Sequence, residues 1–235
     1  MKSFEYQCEL INESMFLLLW PDVICQEQHQ YIVACQKAIE QHFQEQLDAC
    51  VVSFASLAIH INIFKSNATQ ITAELPSLLS TLGSNLSLDS KLIEIPVYYG
   101  SEAGWDIRDV AKRADISIEE LINIHSQDTY YAYATGFTPG FSYLGELNQH
   151  IVLPRKASPR LKMPRGAVAI ADKQTAVYPN ASPGGWHILG QTPMSMYDIG
   201  NDDFAPLINV GDRVKFYPIS LDEYKTLGGE VSLES

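Results

Sequence analysis

Seven prolines and seven glycines are spread through the 58 residues from Gly136 to Pro193. Proline removes a backbone donor and clashes with the preceding helical turn, and glycine weakens a helix interior. Such spacing leaves little room for helices but suits short strands joined by tight turns. The stretch therefore predicts a compact all-β domain, a barrel or a sandwich, with function carried in its loops. Helical character returns only in the tail, Leu221–Leu227.

The sequence before this stretch has a different texture. Ser14–Trp20 is an apolar run suited to a strand. Gln26–Phe43 reads as a helix, with Ile32, Cys35, Ile39 and Phe43 at helical spacing. Cys50–Ser56 and Leu57–Phe64 read as strands, the second alternating Leu57, Ile59, Ile61 and Ile63 with smaller or polar residues. Thr69–Leu82 reads as a second helix, although Pro76 would kink it. Strand, helix, strand, strand, helix suits a small ferredoxin-like α+β domain over residues 1–90, with polar Gly83–Ser90 as its linker. The second domain, residues 91–235, opens with a strand at Leu92–Tyr99. Two short helices follow: Asp106 and Asp109 suggest a cap for the first, and Ser117-Ile118-Glu119-Glu120 fits a capping box for the second, Ile118–His125. Tyr130–Ala134 looks extended.

Charge narrows the partners. The net charge of −12 would repel a nucleic-acid backbone. The densest basic stretch, Arg155, Lys156, Arg160, Lys162 and Arg165, is broken by prolines and lacks interleaved aromatics. It suits a loop meeting a small anion, or simply a solvated loop. Cys8, Cys25, Cys35 and Cys50 show no C-x-x-C spacing, so a metal site is not expected and buried thiols in a reducing compartment are. Met15–Trp20 is too short for a signal or a membrane span, which points to the cytoplasm.

Three clusters carry the chemistry. Gly136-Phe137-Thr138-Pro139-Gly140-Phe141-Ser142-Tyr143-Leu144 presents three rings from a rigid turn, which suits either a pocket wall or a core turn. Pro154-Arg155, Pro159-Arg160 and Pro164-Arg165-Gly166 hold guanidinium groups on extended backbone, and arginine grips carboxylates with two parallel hydrogen bonds. Gln174-Thr175-Ala176-Val177-Tyr178-Pro179 leads to Ser182-Pro183-Gly184-Gly185-Trp186, a glycine pair beside a large flat ring, or else a structural turn. His125 is the acid–base candidate by residue type, since its ordinary pKa lies near neutrality, although a lone histidine at a helix end also serves as a cap or surface group. No phosphate-binding loop, G-x-S-x-G elbow or H-E-x-x-H motif is present.

In this order and spacing the clusters resemble one family: the B-type subunit of 5-oxoprolinase, the kinase inhibitor KipI, allophanate hydrolase subunit 1, and part of the carboxyltransferase domain of urea carboxylase. The resemblance starts at Ile95-Pro96-Val97-Tyr98-Tyr99-Gly100. It runs through Asp106, Ile124-His125-Ser126, Gly136–Leu144, Pro154–Val168, Gln174–Pro179 and Ser182–Pro193 to Gly211-Asp212. It implies a cyclophilin-like β-barrel after the ferredoxin-like domain, and pairing with a C-type or KipA-type protein, with an A-type protein as a possible third member. It also implies ATP-dependent opening of 5-oxoproline to glutamate by the assembled complex. No cofactor is then expected on this chain alone, and the substrate is a small lactam or ureido compound.

On that reading His125, Tyr143, Arg160 and Gln174 are the catalytic candidates, and Phe137, Phe141, Arg155, Thr175 and Trp186 the substrate-binding ones. His125, Tyr143, Arg160, Gln174 and Trp186 are expected to converge on one cleft. The alternatives are a KipI-like inhibitor of a sensor histidine kinase and an allophanate hydrolase or urea-amidolyase type subunit; prolyl isomerase activity would rest on the barrel alone. The chain departs from the family pattern at Thr135, at Ser101, where Gly100-Ser101-Glu102 stands for a usual Gly-Gly-Glu, at Trp105, and at Ala169, Asp172 and Ala176, where glycines are usual. Added side chains there would narrow a cleft or change its charge.

Overall fold

A computed structural model describes residues 4–23, 25–82, 90–200 and 203–231. The chain divides into two compact units, residues 1–89 and 90–235. The expected linker, Gly83–Ser90, lies outside the described residues except for Ser90.

The first unit contains β1 (Gln7–Asn12), β2 (Met15–Leu19), α1 (Gln26–Phe43), β3 (Leu47–Ser53), β4 (Ser56–Ile61) and α2 (Ala68–Ser80). Its sheet runs β1-β2-β4-β3 with antiparallel neighbours. The helical stripe Ile32, Cys35, Ile39 and Phe43 is buried as its period requires. Pro76 lies within α2 on its exposed side, while Ile71, Leu75 and Leu79 face inward. Two expectations fail here. Strand β1 has no sequence signature because every residue of it is exposed. Cys8 lies on that strand and is exposed, Cys25 caps α1, and only Cys35 and Cys50 are buried.

The second unit contains β5 (Leu92–Val97), α3 (Ile107–Ala114), α4 (Ile118–Gln127), β6 (Tyr130–Thr135), β7 (Ser142–Gly145), β8 (Arg160–Met163), β9 (Ala167–Ala171), β10 (Gln174–Val177), β11 (Ser182–Gly184), β12 (His187–Gln191), β13 (Tyr197–Gly200), β14 (Asp203–Pro206), β15 (Arg213–Pro218) and α5 (Leu221–Thr226). The main sheet runs β5-β15-β6-β7-β10-β9-β12, antiparallel except for the parallel pair β5 and β15. Just after β5, Tyr98 exchanges two backbone hydrogen bonds with Gln191 of β12, at 2.8 and 3.0 Å. Gly190 permits this approach, because a Cβ there would lie 2.5 Å from the Tyr98 carbonyl oxygen. Two small ladders, β8 with β11 and β13 with β14, stand apart from this sheet.

The helix starts partly follow their sequence signals. Ser117 accepts from the Glu120 amide at 3.0 Å. Asp106 precedes α3 but makes no capping bond. The reciprocal capping box is found instead at Ser220 and Glu223 of α5. Among the described residues no helix is long and apolar enough to cross a membrane.

Candidate functional site

Strand β9 reads Ala-Val-Ala-Ile-Ala, and strand alternation sends its two residue types to opposite faces. Val168 and Ile170 join Leu144, Val177 and Leu189 in a large aliphatic core. Ala167, Ala169 and Ala171 join Ala176 of β10 on the other face, all fully buried. Small side chains there form a flat floor. Phe141, Tyr178 and Trp186 cover it, with Tyr143 and Trp105 packed at its edge. Phe141 is the hub: its ring meets those of Phe137, Tyr143, Tyr178 and Trp186 edge-on, with centroids at 5.4, 4.9, 5.3 and 5.8 Å. Edge-to-face contacts of this kind add to the stabilisation from area burial.

An ion cluster built on the buried Asp106, with partly buried cations, borders the aromatic layer. Asp106 accepts both arms of Arg160, at 2.8 and 3.0 Å, together with Lys156 Nζ at 2.5 Å and the Ile188 amide at 2.8 Å. Burial pushes the Asp106 carboxyl up, but the hydrogen bonds from Arg160, Lys156 and the Ile188 amide outweigh it and hold the group below the usual carboxylate value. Trp105 supplies a face to the Arg160 guanidinium, 5.5 Å from the ring centroid. Arg160 was expected to grip a substrate carboxylate; instead its fork is engaged by Asp106. Sequence reading missed this pairing because 54 residues separate the partners.

His125 lies on the opposite side of the sheet. It is fully buried and stacks on Phe216, centroids 4.8 Å apart. Its Nε2 lies 2.9 Å from Thr175 Oγ1, its Nδ1 2.8 Å from Tyr99 Oη, and Thr175 Oγ1 also contacts the Ala169 carbonyl at 3.2 Å. The single hydroxyl hydrogen of Thr175 goes to that carbonyl, so Nε2–H donates to Thr175 and Nδ1 accepts from Tyr99. Burial pulls the pKa of His125 down to about 3. It is a neutral, doubly bonded core residue and does not exchange protons with a cleft. Thr175 is buried with it. Phe141 and Trp186, both expected to touch substrate, are packed into the aromatic layer at 2% and 4% exposure.

The remaining candidates stay accessible. Phe137 is 62% exposed, with φ +66. It lines a surface cleft of about 380 Å³ with Thr135, Pro139, Phe141, Phe204 and Pro206. Tyr143 and Gln174 are partly exposed, and Gln174 shares the alanine face of β10 by alternation. Arg155 lies 6.0 Å over the Trp186 ring and remains 61% exposed. Burial pushes the Tyr178 hydroxyl up to about 12, with Arg155 opposing and Tyr143 reinforcing the shift. Of the five residues expected in one cleft, Tyr143, Trp186 and Gln174 belong to the aromatic face, Arg160 borders it through Trp105, and His125 does not reach it. The cleft itself is lined by none of the five.

Comparison with known proteins gives a consistent result. The family model described as carboxyltransferase domain, subdomain C and D, matches residues 6–207. The chain is 32% identical to the B-type subunit of 5-oxoprolinase from Bacillus subtilis (strain 168), over 93% of this chain and 95% of that protein. It is 31% identical to the crystal structure of TTHA0988, with a TM-score of 0.76, covering 88% of this chain and 39% of that one. The chain thus spans well under half the length of that structure. Urea carboxylase of Kluyveromyces lactis shares the fold at 18% identity, with a TM-score of 0.75, over 95% of this chain and 22% of that one.

Proposed function

Because the chain belongs to the family of carboxyltransferase domain, subdomain C and D, we propose that it is the B-type subunit of an ATP-dependent 5-oxoprolinase, a cytoplasmic complex that hydrolyses the lactam of 5-oxoproline to glutamate. The observation that carries this reading is the nearly end-to-end match to a protein named as that subunit. The domain scheme, ferredoxin-like over 1–90 and cyclophilin-like over 91–235, goes with it. It is supported by the division of the chain near residue 90 and by the return of β12 to Tyr98, which brings the sheet round toward a barrel.

The substrate is a flat five-membered lactam carrying a carboxylate. Arg155 is the residue for the carboxylate, in place of Arg160: its guanidinium is exposed over Trp186 and can form two parallel bonds. Tyr143 and Gln174, on the same face, supply a hydroxyl and an amide that can donate to the lactam carbonyl and accept from its N–H. Phe137 walls the neighbouring cleft. In the reaction the amide C–N bond breaks, water supplies the new carboxylate oxygen and the released nitrogen becomes an amine.

ATP does not fit the start of α3, the one described helix whose approach carries glycines. The loop Gly100–Asp106 before α3 has two glycines, but Glu102 adds a negative charge, and Asp106 already holds Arg160 and Lys156. Gly104 is explained by packing, since a Cβ there would lie 2.2 Å from the Leu189 carbonyl oxygen. Nucleotide handling is therefore assigned to the partner proteins, of the C type and the A type, and the chain alone is inactive. Reconstitution tests this. The chain with its C-type and A-type partners turns over 5-oxoproline with ATP, and the chain alone does not. An assembled complex without turnover overturns the substrate, and turnover by the single chain overturns the requirement for partners.

A further inference from the structure

Arg155 has a competing anion beside it. Its Nε lies 3.8 Å from Asp172 Oδ2, and the two side chains are 61% and 62% exposed. Both residues are fixed by backbone and not by their own pairing. On the arginine side, the Leu153 carbonyl accepts from the Asp172 amide at 2.7 Å, and the Pro154 carbonyl accepts from His187 Nε2 at 2.9 Å. Lys156 then donates its amide to Gly185 at 2.7 Å and its ammonium to Asp106. On the aspartate side, Asp172 occupies the tight turn between β9 and β10, closed by the pair Ala171 and Gln174, at φ +50. Aspartate and asparagine tolerate that left-handed conformation, as glycine does.

The contact between them is long: the atoms of the pair lie 3.8 Å apart, beyond hydrogen-bond range. Asp172 biases the guanidinium without filling its fork. A carboxylate arriving from solution can offer two parallel N–H···O bonds and displace a single long contact. A neutral lactam, or an anion that meets only one N–H, gains less.

We propose that Asp172 is a specificity-determining residue, an internal competitor that occupies Arg155 until a substrate carboxylate takes its place. The class selected is the small lactam or amide bearing a free carboxylate. This rests on the reading of Arg155 as the substrate's anion partner.

The test replaces Asp172 by Asn, which keeps size and turn conformation, and by Gly, which relaxes the turn. In the reconstituted complex both variants lower KM for 5-oxoproline by about two- to fivefold, the range expected of an exposed pair, and the gain shrinks at high salt. The change falls on KM. Calorimetric titration of the full chain with 5-oxoproline gives a second readout: both variants tighten binding and Arg155→Ala removes it. If KM and affinity stay unchanged, or if both variants weaken binding, Asp172 merely holds Arg155 in place and the proposal fails. If the wild-type complex does not turn over 5-oxoproline while the variants still tighten its binding, the assigned reaction fails and the competitor role stands. If Arg155→Ala leaves binding intact, the anion site lies elsewhere and both readings fall.

Discussion

The two faces of the sheet β7-β10-β9-β12 treat polar side chains in opposite ways. On the aliphatic face His125 is sealed among Tyr99, Thr175 and Phe216 with both ring nitrogens bonded. On the aromatic face charges gather at the border, where Arg160 is locked to Asp106 and Arg155 is left exposed over Trp186. Residue type alone would rank His125 first for proton chemistry and the two arginines as equals. Environment reverses the first judgement and splits the second. A titratable group becomes a candidate for chemistry only where the fold leaves it solvent access and unused hydrogen-bonding capacity.

The border of the aromatic face gives the largest expected effect. Asp106→Ala leaves Arg160 and Lys156, whose side chains are 15% and 24% exposed, facing a site without its anion. Breaking a buried ion pair from one side costs about 3–5 kcal/mol, so urea unfolding of this variant shows a loss of about that size. A loss below about 1 kcal/mol would mean that the cluster relaxes into water, and that it lies closer in kind to Arg155 than its burial suggests.

The aliphatic face gives the next. His125 titrates near 6.5 when unfolded and near 3 when folded. Above pH 6.5 neither state holds the proton and its contribution is complete. Below it the unfolded chain takes up a proton that the folded chain refuses, so stability falls by roughly 1.4 kcal/mol per pH unit until about pH 3. Between pH 6.5 and 5 that amounts to about 2 kcal/mol. Asp106 does not contribute in this window, because its lowered pKa delays its loss to pH values below the ordinary 3.8. Urea unfolding at the two pH values, with His125→Gln as control, measures the slope. If the control keeps the full slope, His125 is not the sealed neutral group that sets this face apart.

Much of the architecture is legible in the sequence because it follows local rules. The stripe of α1 and the alternation of Leu57, Ile59 and Ile61 along β4 need only periodicity. Strand β1 escaped because it is exposed at every position, and periodicity records burial. The site was legible as residue types and motif order but not as roles. Asp106 looked like a helix cap because caps are local, while its partners Lys156 and Arg160 lie 50 and 54 residues away. Thr175 and Trp186 were named as ligand contacts from the motifs that hold them, yet Thr175 is bonded to His125 in the core and Trp186 is packed into the aromatic layer.

The smallest effect on stability is expected at the residue with the largest assigned role in binding. Arg155 is 61% exposed and its pair with Asp172 is long, so that pair contributes no more than about 1 kcal/mol after solvent screening. Its contact with Trp186, at 6.0 Å, lies at the outer limit of a cation–π interaction and adds at most about 0.5–1 kcal/mol. Arg155→Ala should therefore unfold within about 1 kcal/mol of wild type. In the assembled complex the same variant removes a charge-assisted pair to the substrate carboxylate, which corresponds to roughly 1.5–3 kcal/mol and a rise in KM of about 10- to 150-fold. Arg155→Lys keeps the charge but loses the fork, and should fall between the two. Unfolding and steady-state kinetics on the same preparations give both numbers. A large loss of stability together with the KM change would place Arg155 with Arg160 as a structural cation, and the contrast between the two arginines would collapse. An unchanged KM with unchanged stability would leave Arg155 as surface charge and move the anion site to a partner protein.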